Sequence, residues 1–177
     1  GDDVFLGGLG NDRMVGGAAL DHMQGEAGDD RMSGNGGNDI IIGGEGNDIL
    51  SGQSNNDFLS GENGDDLLFG GAGGDISQRG DGTDKVSGGA GNDTIRSDAG
   101  NDELFGNDSK DIISGGAGDD FIIGQGGEDT LNGGGGVVDA LQGERLSWVR
   151  DMGWVTSGRR SRKGAIQCKV RRSPIPN

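Results

Sequence analysis

Aspartate recurs every nine residues from Asp12 to Asp129, and this spacing constrains the fold more than any other feature of the sequence. Fourteen full units, numbered from Gly7, run to Asn132 without insertion, and after one extra residue a last copy spans Gly134 to Gln142. A fixed short period of this kind predicts a stacked repeat architecture rather than one compact core. The sixth position of the fourteen units is always aspartate: Asp12, Asp21, Asp30, Asp39, Asp48, Asp57, Asp66, Asp75, Asp84, Asp93, Asp102, Asp111, Asp120 and Asp129.

The eighth position of each unit is the one apolar position that recurs. It is Met, Ile, Leu or Val in every unit except the one that carries Ser77. We interpret the last three positions as a short strand whose middle side chain points inward. Glycine at the first, second and fourth positions would permit the positive φ angles of a tight turn. Because only 29% of the 177 residues are hydrophobic and 42 are glycine, the core is expected to be a thin file of these side chains.

Two units make a coil of 18 residues, so equivalent aspartates two units apart should lie side by side. With strands about 4.8 Å apart, each edge of the stack would carry a row of closely spaced carboxylates. Such rows repel one another strongly unless a cation lies between them. Carboxylates together with the carbonyl groups of glycine-rich turns form an all-oxygen site that suits Ca²⁺. The fourteen sixth-position aspartates are therefore the predicted metal ligands.

Several units carry a family pattern in full. GGLGNDRMV, GGEGNDILS, GGAGNDTIR and GGAGDDFII match G-G-x-G-x-D-x-U-x at every defined position, and the array resembles the hemolysin-type calcium-binding repeat of RTX proteins. The resemblance implies an all-β, right-handed parallel β-roll, a β-helix solenoid in which several Ca²⁺ ions lie between successive turns. It also implies a secreted bacterial protein exported by a type I secretion system and folded outside the cell.

Charge and residue types exclude several other functions. Residues 1–143 hold 28 acidic and 6 basic residues, a net charge of −22, which disfavours nucleic acid and anionic membranes as partners. No apolar run is long enough for a membrane span. His22 is the only histidine and Cys168 the only cysteine, and no nucleophile motif occurs, so we expect no catalysis in this chain. An enzyme in a longer parent protein stays open.

The predicted domains are a calcium-binding β-roll at 1–142 and a basic tail at 143–177. Residues 144–177 carry 2 acidic and 9 basic side chains, a net charge of +7. The tail is expected to be poorly ordered, with at most a short capping helix around ERLSWVRDMGW. Within the array, residues 75 to 87 form the expected weak point, because Ser77 interrupts the apolar file and Arg79 replaces a glycine. Ser97 also replaces a first-position glycine, and Ala19, Asn55 and Ser109 replace the fourth.

Two other functions stay open at this point. Outward apolar side chains would suit an adhesin that binds a surface or protein partner, although β-propensity alone would also place them there. On one face they are Ile40, Ile42, Phe58 and Ile76, and on the other Ile49, Leu67, Phe69, Phe105, Phe121 and Ile123. The chain could also be the C-terminal fragment of a secreted RTX hydrolase or toxin. Arg79-Gly80-Asp81 matches an integrin-binding tripeptide, but drift at a turn glycine explains it better.

Overall fold

The computed structural model describes residues 1–136, 140–143, 146–150 and 154–157. Two parallel sheets of nine strands each account for its architecture. The first sheet consists of β1 (Val4–Leu9), β3 (His22–Ala27), β5 (Ile40–Glu45), β7 (Phe58–Asn63), β9 (Ile76–Gln78), β11 (Thr94–Arg96), β13 (Ile112–Gly116), β15 (Asp129–Gly134) and β17 (Leu146–Arg150). The second consists of β2 (Arg13–Val15), β4 (Arg31–Gly36), β6 (Ile49–Ser54), β8 (Leu67–Ala72), β10 (Lys85–Ala90), β12 (Glu103–Asp108), β14 (Phe121–Gly126), β16 (Ala140–Gly143) and β18 (Trp154–Ser157).

The chain crosses from one sheet to the other after every strand, so each strand pairs with the strand two places further along. Ile41 lies opposite Leu59 in the first sheet, and Leu50 lies opposite Leu68 in the second. These partners are 18 residues apart, as two nine-residue units require. The prediction of an all-β parallel β-roll is therefore confirmed. The described residues contain no helix, and so none that could cross a membrane.

The core is a single file of the eighth-position side chains. Thirteen of them are at most 8% exposed, from Met14 at one end to Leu131 at the other. Ser77 fills the remaining place and is buried as well. The predicted inward position is thus confirmed along the whole array, and each coil contributes only two side chains to the core.

The regular strands are six residues long, twice the predicted length. They continue from the last three positions of one unit into the first three of the next, and the turn is confined to the fourth to sixth positions. Positive φ angles occur at the second and fourth positions, including Asn55 (φ 76°) and Ser109 (φ 82°). In the fourteen full units the first-position glycines have no positive φ, so the prediction that they supply conformational freedom is wrong. Their role is to leave space for the aspartate, as described below.

Beyond the array the structure contains strands where the sequence suggested a short helix. β17 pairs with β15 and β18 pairs with β16, each with parallel register. The extra residue after Asn132 appears in the pairing of β14 with β16, where Phe121 pairs with Ala140, one residue beyond the usual partner, and a register shift follows beside Ile123. A second register shift lies beside Asp129. An open sheet edge offers unpaired backbone groups to the next segment, and Trp148, Val149, Trp154 and Val155 favour extended backbone. Asp139 and residues 158–177 lie outside the described residues.

Candidate metal sites at the two edges

The sixth-position aspartates lie in two rows, one along each edge of the roll. We call the row of turns from the first sheet to the second edge 1, and the row of return turns edge 2. Aspartates from Asp21 to Asp129 are at most 3% exposed, and Asp12 is half-buried. Edge 1 carries Asp12, Asp30, Asp48, Asp66, Asp84, Asp102 and Asp120, and edge 2 carries Asp21, Asp39, Asp57, Asp75, Asp93, Asp111 and Asp129.

From Asp21 to Asp129, one carboxylate oxygen of each aspartate belongs to a ladder of hydrogen bonds. The backbone N–H of each aspartate from Asp12 to Asp111 donates to Oδ1 of the aspartate one coil further along. On edge 1 the N–H of Asp48 donates to Asp66 Oδ1 at 2.8 Å, and on edge 2 that of Asp39 donates to Asp57 Oδ1 at 2.7 Å. The ladder fixes the carboxylates in register and leaves their Oδ2 atoms pointing into the turn.

Most of those Oδ2 atoms are buried without any hydrogen-bond donor. A buried ionised oxygen with no partner costs several kcal/mol, so a native fold does not leave rows of them unsatisfied. Among the residues that the structure describes, such atoms belong to Asp12, Asp30, Asp39, Asp48, Asp57, Asp66, Asp75, Asp84, Asp93 and Asp111.

First-position glycines provide the space into which these oxygens point. A Cβ atom added to Gly43 would lie 2.8 Å from the carbonyl oxygen of Gly61 and closer still to Asp48 Oδ2. A carboxylate oxygen of one turn and a carbonyl oxygen of the next coil thus converge on the same point. The same arrangement recurs at Gly25, where the oxygens come from Asp30 and Gly43. The convergence is therefore a property of the repeat.

Burial raises the pKa of ten aspartates, which lie in both rows. The pKa rises to about 7 for Asp57, Asp66 and Asp111, and to about 6 for Asp93 and Asp102. Desolvation is the main cause, the backbone hydrogen bond of the ladder opposes it, and neighbouring carboxylates add to it. The pKa is also raised for Asp39, Asp48, Asp75, Asp84 and Asp129.

The available donor atoms fit a hard cation. Ca²⁺ takes about six to eight oxygen ligands from carboxylates, carbonyl groups and water. Within the described part of the chain, no group of three or more His, Cys, Asp or Glu side chains is close enough to hold a metal ion. The other ligands would have to be carbonyl oxygens, as at Gly61, together with water. An all-oxygen ligand set of this kind disfavours soft, thiolate-binding metal ions as occupants of the site.

A second ladder at the fifth position had not been predicted. On edge 1 the N–H of Asn47 donates to Asp29 Oδ1 at 2.9 Å, and the N–H of Asp65 donates to Asn47 Oδ1 at 2.8 Å. This ladder runs in the opposite direction to the first. Here each side chain accepts from the backbone of the following coil, whereas in the first ladder it accepts from the preceding coil. The sequence does carry the signal, since most units have Asn or Asp at this position, but the family pattern leaves it undefined.

Three units depart from the regular edge geometry: 16–24, 79–87 and 97–105, called here the irregular units. Each follows a strand of only three residues, namely β2, β9 and β11, and each lacks a positive φ at its second position. In each one the aspartate has an internal partner. Asp21 Oδ2 accepts from the N–H of Gly17 at 2.7 Å, and Asp102 Oδ2 accepts from Ser97 Oγ. Asp84 differs, because Arg79 Nη1 lies 3.5 Å from its Oδ1 and its Oδ2 still has no donor.

Comparison with known proteins was consistent with this repeat geometry. A family model described as RTX calcium-binding nonapeptide repeat (4 copies) matches residues 1–21, 15–50, 42–76, 79–108 and 105–137. The matches together cover well over half of the chain. No curated protein sequence matches it significantly.

Proposed function

Because this chain belongs to the family of RTX calcium-binding nonapeptide repeats, we propose that both edges bind Ca²⁺ and that binding drives the chain to fold. The repeat is a calcium-binding structural module and not a catalytic one. The proposed ligands are the sixth-position aspartates with the carbonyl groups of adjacent turns. The irregular units are the exception within this assignment, since Asp21, Asp84 and Asp102 have partners in the protein.

The rows of buried Oδ2 atoms without donors are the observation that carries this proposal. Each would need either a proton or a cation, and at neutral pH a divalent cation can serve two carboxylates at once. Extracellular calcium modules bind with Kd values of about 10⁻⁴–10⁻³ M. At ten times Kd a single ion stabilises the folded state by about 1.4 kcal/mol, so several ions suffice to switch a marginal chain between states.

The coupling of folding to calcium binding also bears on where the chain works in the cell. RTX repeats are typical of secreted bacterial proteins, and we propose that this chain is secreted through a type I secretion system. In a calcium-poor cytosol the carboxylate rows would hold the chain unfolded, which suits passage through a channel. Outside the cell, millimolar Ca²⁺ would then fold it as a stalk or secretion-associated module of a larger protein.

Calcium is expected to convert the chain cooperatively from coil to β-structure at pH 7. The measurement is far-UV circular dichroism of residues 1–177 during a Ca²⁺ titration, followed by addition of a chelator. Mg²⁺ serves as the control, because its smaller shell and stricter octahedral geometry make it a poorer match than Ca²⁺ for sites built from protein carboxylates and carbonyl groups. A full β signal in metal-free buffer at pH 7, unchanged by Ca²⁺, would contradict the proposal.

Attachment through the outer strand faces is a second candidate function, favoured by the exposure of large apolar side chains there. Phe69, Ile76, Ile112 and Phe121 are 41–51% exposed. On the second sheet Phe105 packs edge-to-face on Phe121, with ring centroids 6.2 Å apart. The remaining predicted outward apolar residues are half-buried: Ile40, Ile42, Ile49, Phe58, Leu67 and Ile123.

Replacing Phe69 and Phe105 with serine is expected to abolish attachment to an alkyl-coated surface, measured by quartz-crystal microbalance in saturating Ca²⁺. Calcium-induced folding should be unchanged, because neither side chain lies in the core file. Ile112→Ser, on the outer face of the first sheet, tests whether that face contributes to the attachment as well. Equal binding by the double variant and the original chain would exclude this second function.

A further inference from the structure

Arg79 is an arginine buried at a position that is otherwise almost always glycine. Its side chain is 0% exposed, and it is the largest fully buried side chain of the described residues. Its Nη1 lies 3.5 Å from Asp84 Oδ1 and donates to the carbonyl oxygen of Asp66 at 3.2 Å. Its Nη2 donates to the carbonyl oxygen of Lys85. The guanidinium thus joins two consecutive coils of edge 1.

These contacts are of the kind expected for a bound cation on this edge. In a regular unit a carboxylate and carbonyl oxygens of adjacent coils converge on the space beside the first-position glycine. At Arg79 a carboxylate and two carbonyl groups surround a positive charge carried by the chain itself. Burial lowers the pKa of Arg79 to about 10, while Asp84, Asp66 and Asp102 act to raise it. The guanidinium therefore stays charged at neutral pH.

The next coil on the same edge has a related replacement. Ser97 occupies the first position there, and its hydroxyl group donates to Asp102 Oδ2. Asp102 Oδ2 consequently has a protein donor, unlike Asp66 Oδ2 one step before Arg79. On edge 2 the aspartates from Asp39 to Asp111 include no such replacement, and all their Oδ2 atoms lack donors. The two edges therefore differ at their centres.

We infer that Arg79 is a covalently attached substitute for one Ca²⁺ ion, and that the calcium row of edge 1 is interrupted at Asp84 and Asp102, whereas that of edge 2 is continuous from Asp39 to Asp111. This inference rests on the proposed function, since it concerns which of its sites take the ion. The burial of Arg79 also argues against the Arg79-Gly80-Asp81 tripeptide as a receptor ligand, because its arginine is inaccessible.

A covalent cation changes how the array responds to Ca²⁺. Around Arg79 the negative charge of the aspartates is balanced at any calcium concentration. In the regular coils that charge is balanced only when Ca²⁺ binds from solution. The centre of edge 1 therefore needs less Ca²⁺ to fold than the rest of the row. Folding would then start at these coils and spread to neighbouring coils in both directions, as expected of a one-dimensional repeat.

Arg79→Gly tests the inference because it restores the family pattern at this unit. We expect the variant to bind one more Ca²⁺ per chain than the original, measured by flow dialysis with ⁴⁵Ca²⁺ at saturation. The calcium concentration at the midpoint of folding, followed by circular dichroism, should also rise, since an ion from solution now replaces an attached charge. Arg96→Gly is the matched control: it removes the same charge from the exposed outer face and should leave the stoichiometry unchanged.

The outcomes separate the inference from the proposed function. If the original chain binds no Ca²⁺, the proposed function fails. If it binds Ca²⁺ but Arg79→Gly adds no ion, only the inference fails. Failure of Arg79→Gly to fold in saturating Ca²⁺ would likewise overturn the inference, because the arginine would then have a structural role that no ion can take over. Ser97→Gly, which uncovers Asp102 Oδ2, should also add one ion.

Discussion

In metal-free buffer the chain is expected to be unfolded at pH 7 and to form its two parallel sheets as the pH falls below about 4. The reason is the burial of carboxylates that have neither donor nor cation. Asp57, Asp66 and Asp111 have pKa values of about 7 in the folded chain, against an ordinary value of 3.8. The folded state therefore binds more protons than the unfolded state between these values.

The direction of the pH dependence follows from this difference. A carboxyl group whose pKa is raised by folding stabilises the folded state fully below its unfolded pKa. That stabilisation is lost as the pH rises through the folded pKa, here from about 4 to about 7. Ca²⁺ should reverse the loss at neutral pH, because it neutralises the same oxygens without a proton.

The measurement is circular dichroism across pH 3 to 8 in buffers stripped of metal, with sedimentation velocity to verify that the chain is monomeric near its pI of about 4.2. Asp57→Asn mimics the protonated group. In metal-free buffer this variant should stay folded to a higher pH than the original chain, and it should bind calcium more weakly. Glu45→Gln removes the same charge at an exposed site and should do neither. A metal-free fold that strengthens as the pH rises would refute the argument.

Adding one methyl group at Gly43 should have the second large effect. In Gly43→Ala the new Cβ overlaps Asp48 Oδ2 and lies 2.8 Å from the carbonyl oxygen of Gly61, both of which belong to the proposed site. Overpacking of this kind costs about 1–3 kcal/mol. We expect a loss of that size in the free energy of unfolding, measured by urea denaturation in saturating Ca²⁺, together with the loss of calcium bound at this turn.

Gly36→Ala is the control for the glycine substitution. Its added Cβ would meet no heavy atom closer than 3.8 Å, and its backbone has no positive φ. The stability of this variant should change by no more than about 0.5 kcal/mol. Equal stability of the two variants would show that the space beside Gly43 is not needed.

The sequence predicted the parts of this structure that repeat. The period alone placed the inward file from Met14 to Leu131, the parallel pairing at 18 residues and the two rows of aspartates. Each depends on one strongly patterned position, and a pattern copied fourteen times leaves little choice of register. The glycine pattern was read correctly at the second and fourth positions but wrongly at the first, where steric room and not φ selects glycine.

The features that escaped prediction depend on contacts between coils. The fifth-position ladder needs the backbone of one coil to meet the side chain of another, which a linear pattern does not display. Arg79 was identified as a defect, because nothing in the sequence shows that its side chain turns inward between Asp66 and Asp84. The strands at 146–150 and 154–157 form where the sheets offer an open edge, although the local sequence pattern favours a helix.

The alternation of strands between the sheets limits how a gene of this kind can change its length. Loss or gain of 18 codons removes or adds one whole coil and leaves every later residue on its original face. Loss of nine codons instead transfers all later strands to the opposite sheet, so that the outer faces downstream, with Phe69 on one side and Ile112 on the other, exchange places. Every unit carries an aspartate, so both edges would keep a row of carboxylates after that exchange, but any surface built across several coils would be broken at the deletion. Selection for an outer surface would therefore favour duplications in even numbers of units.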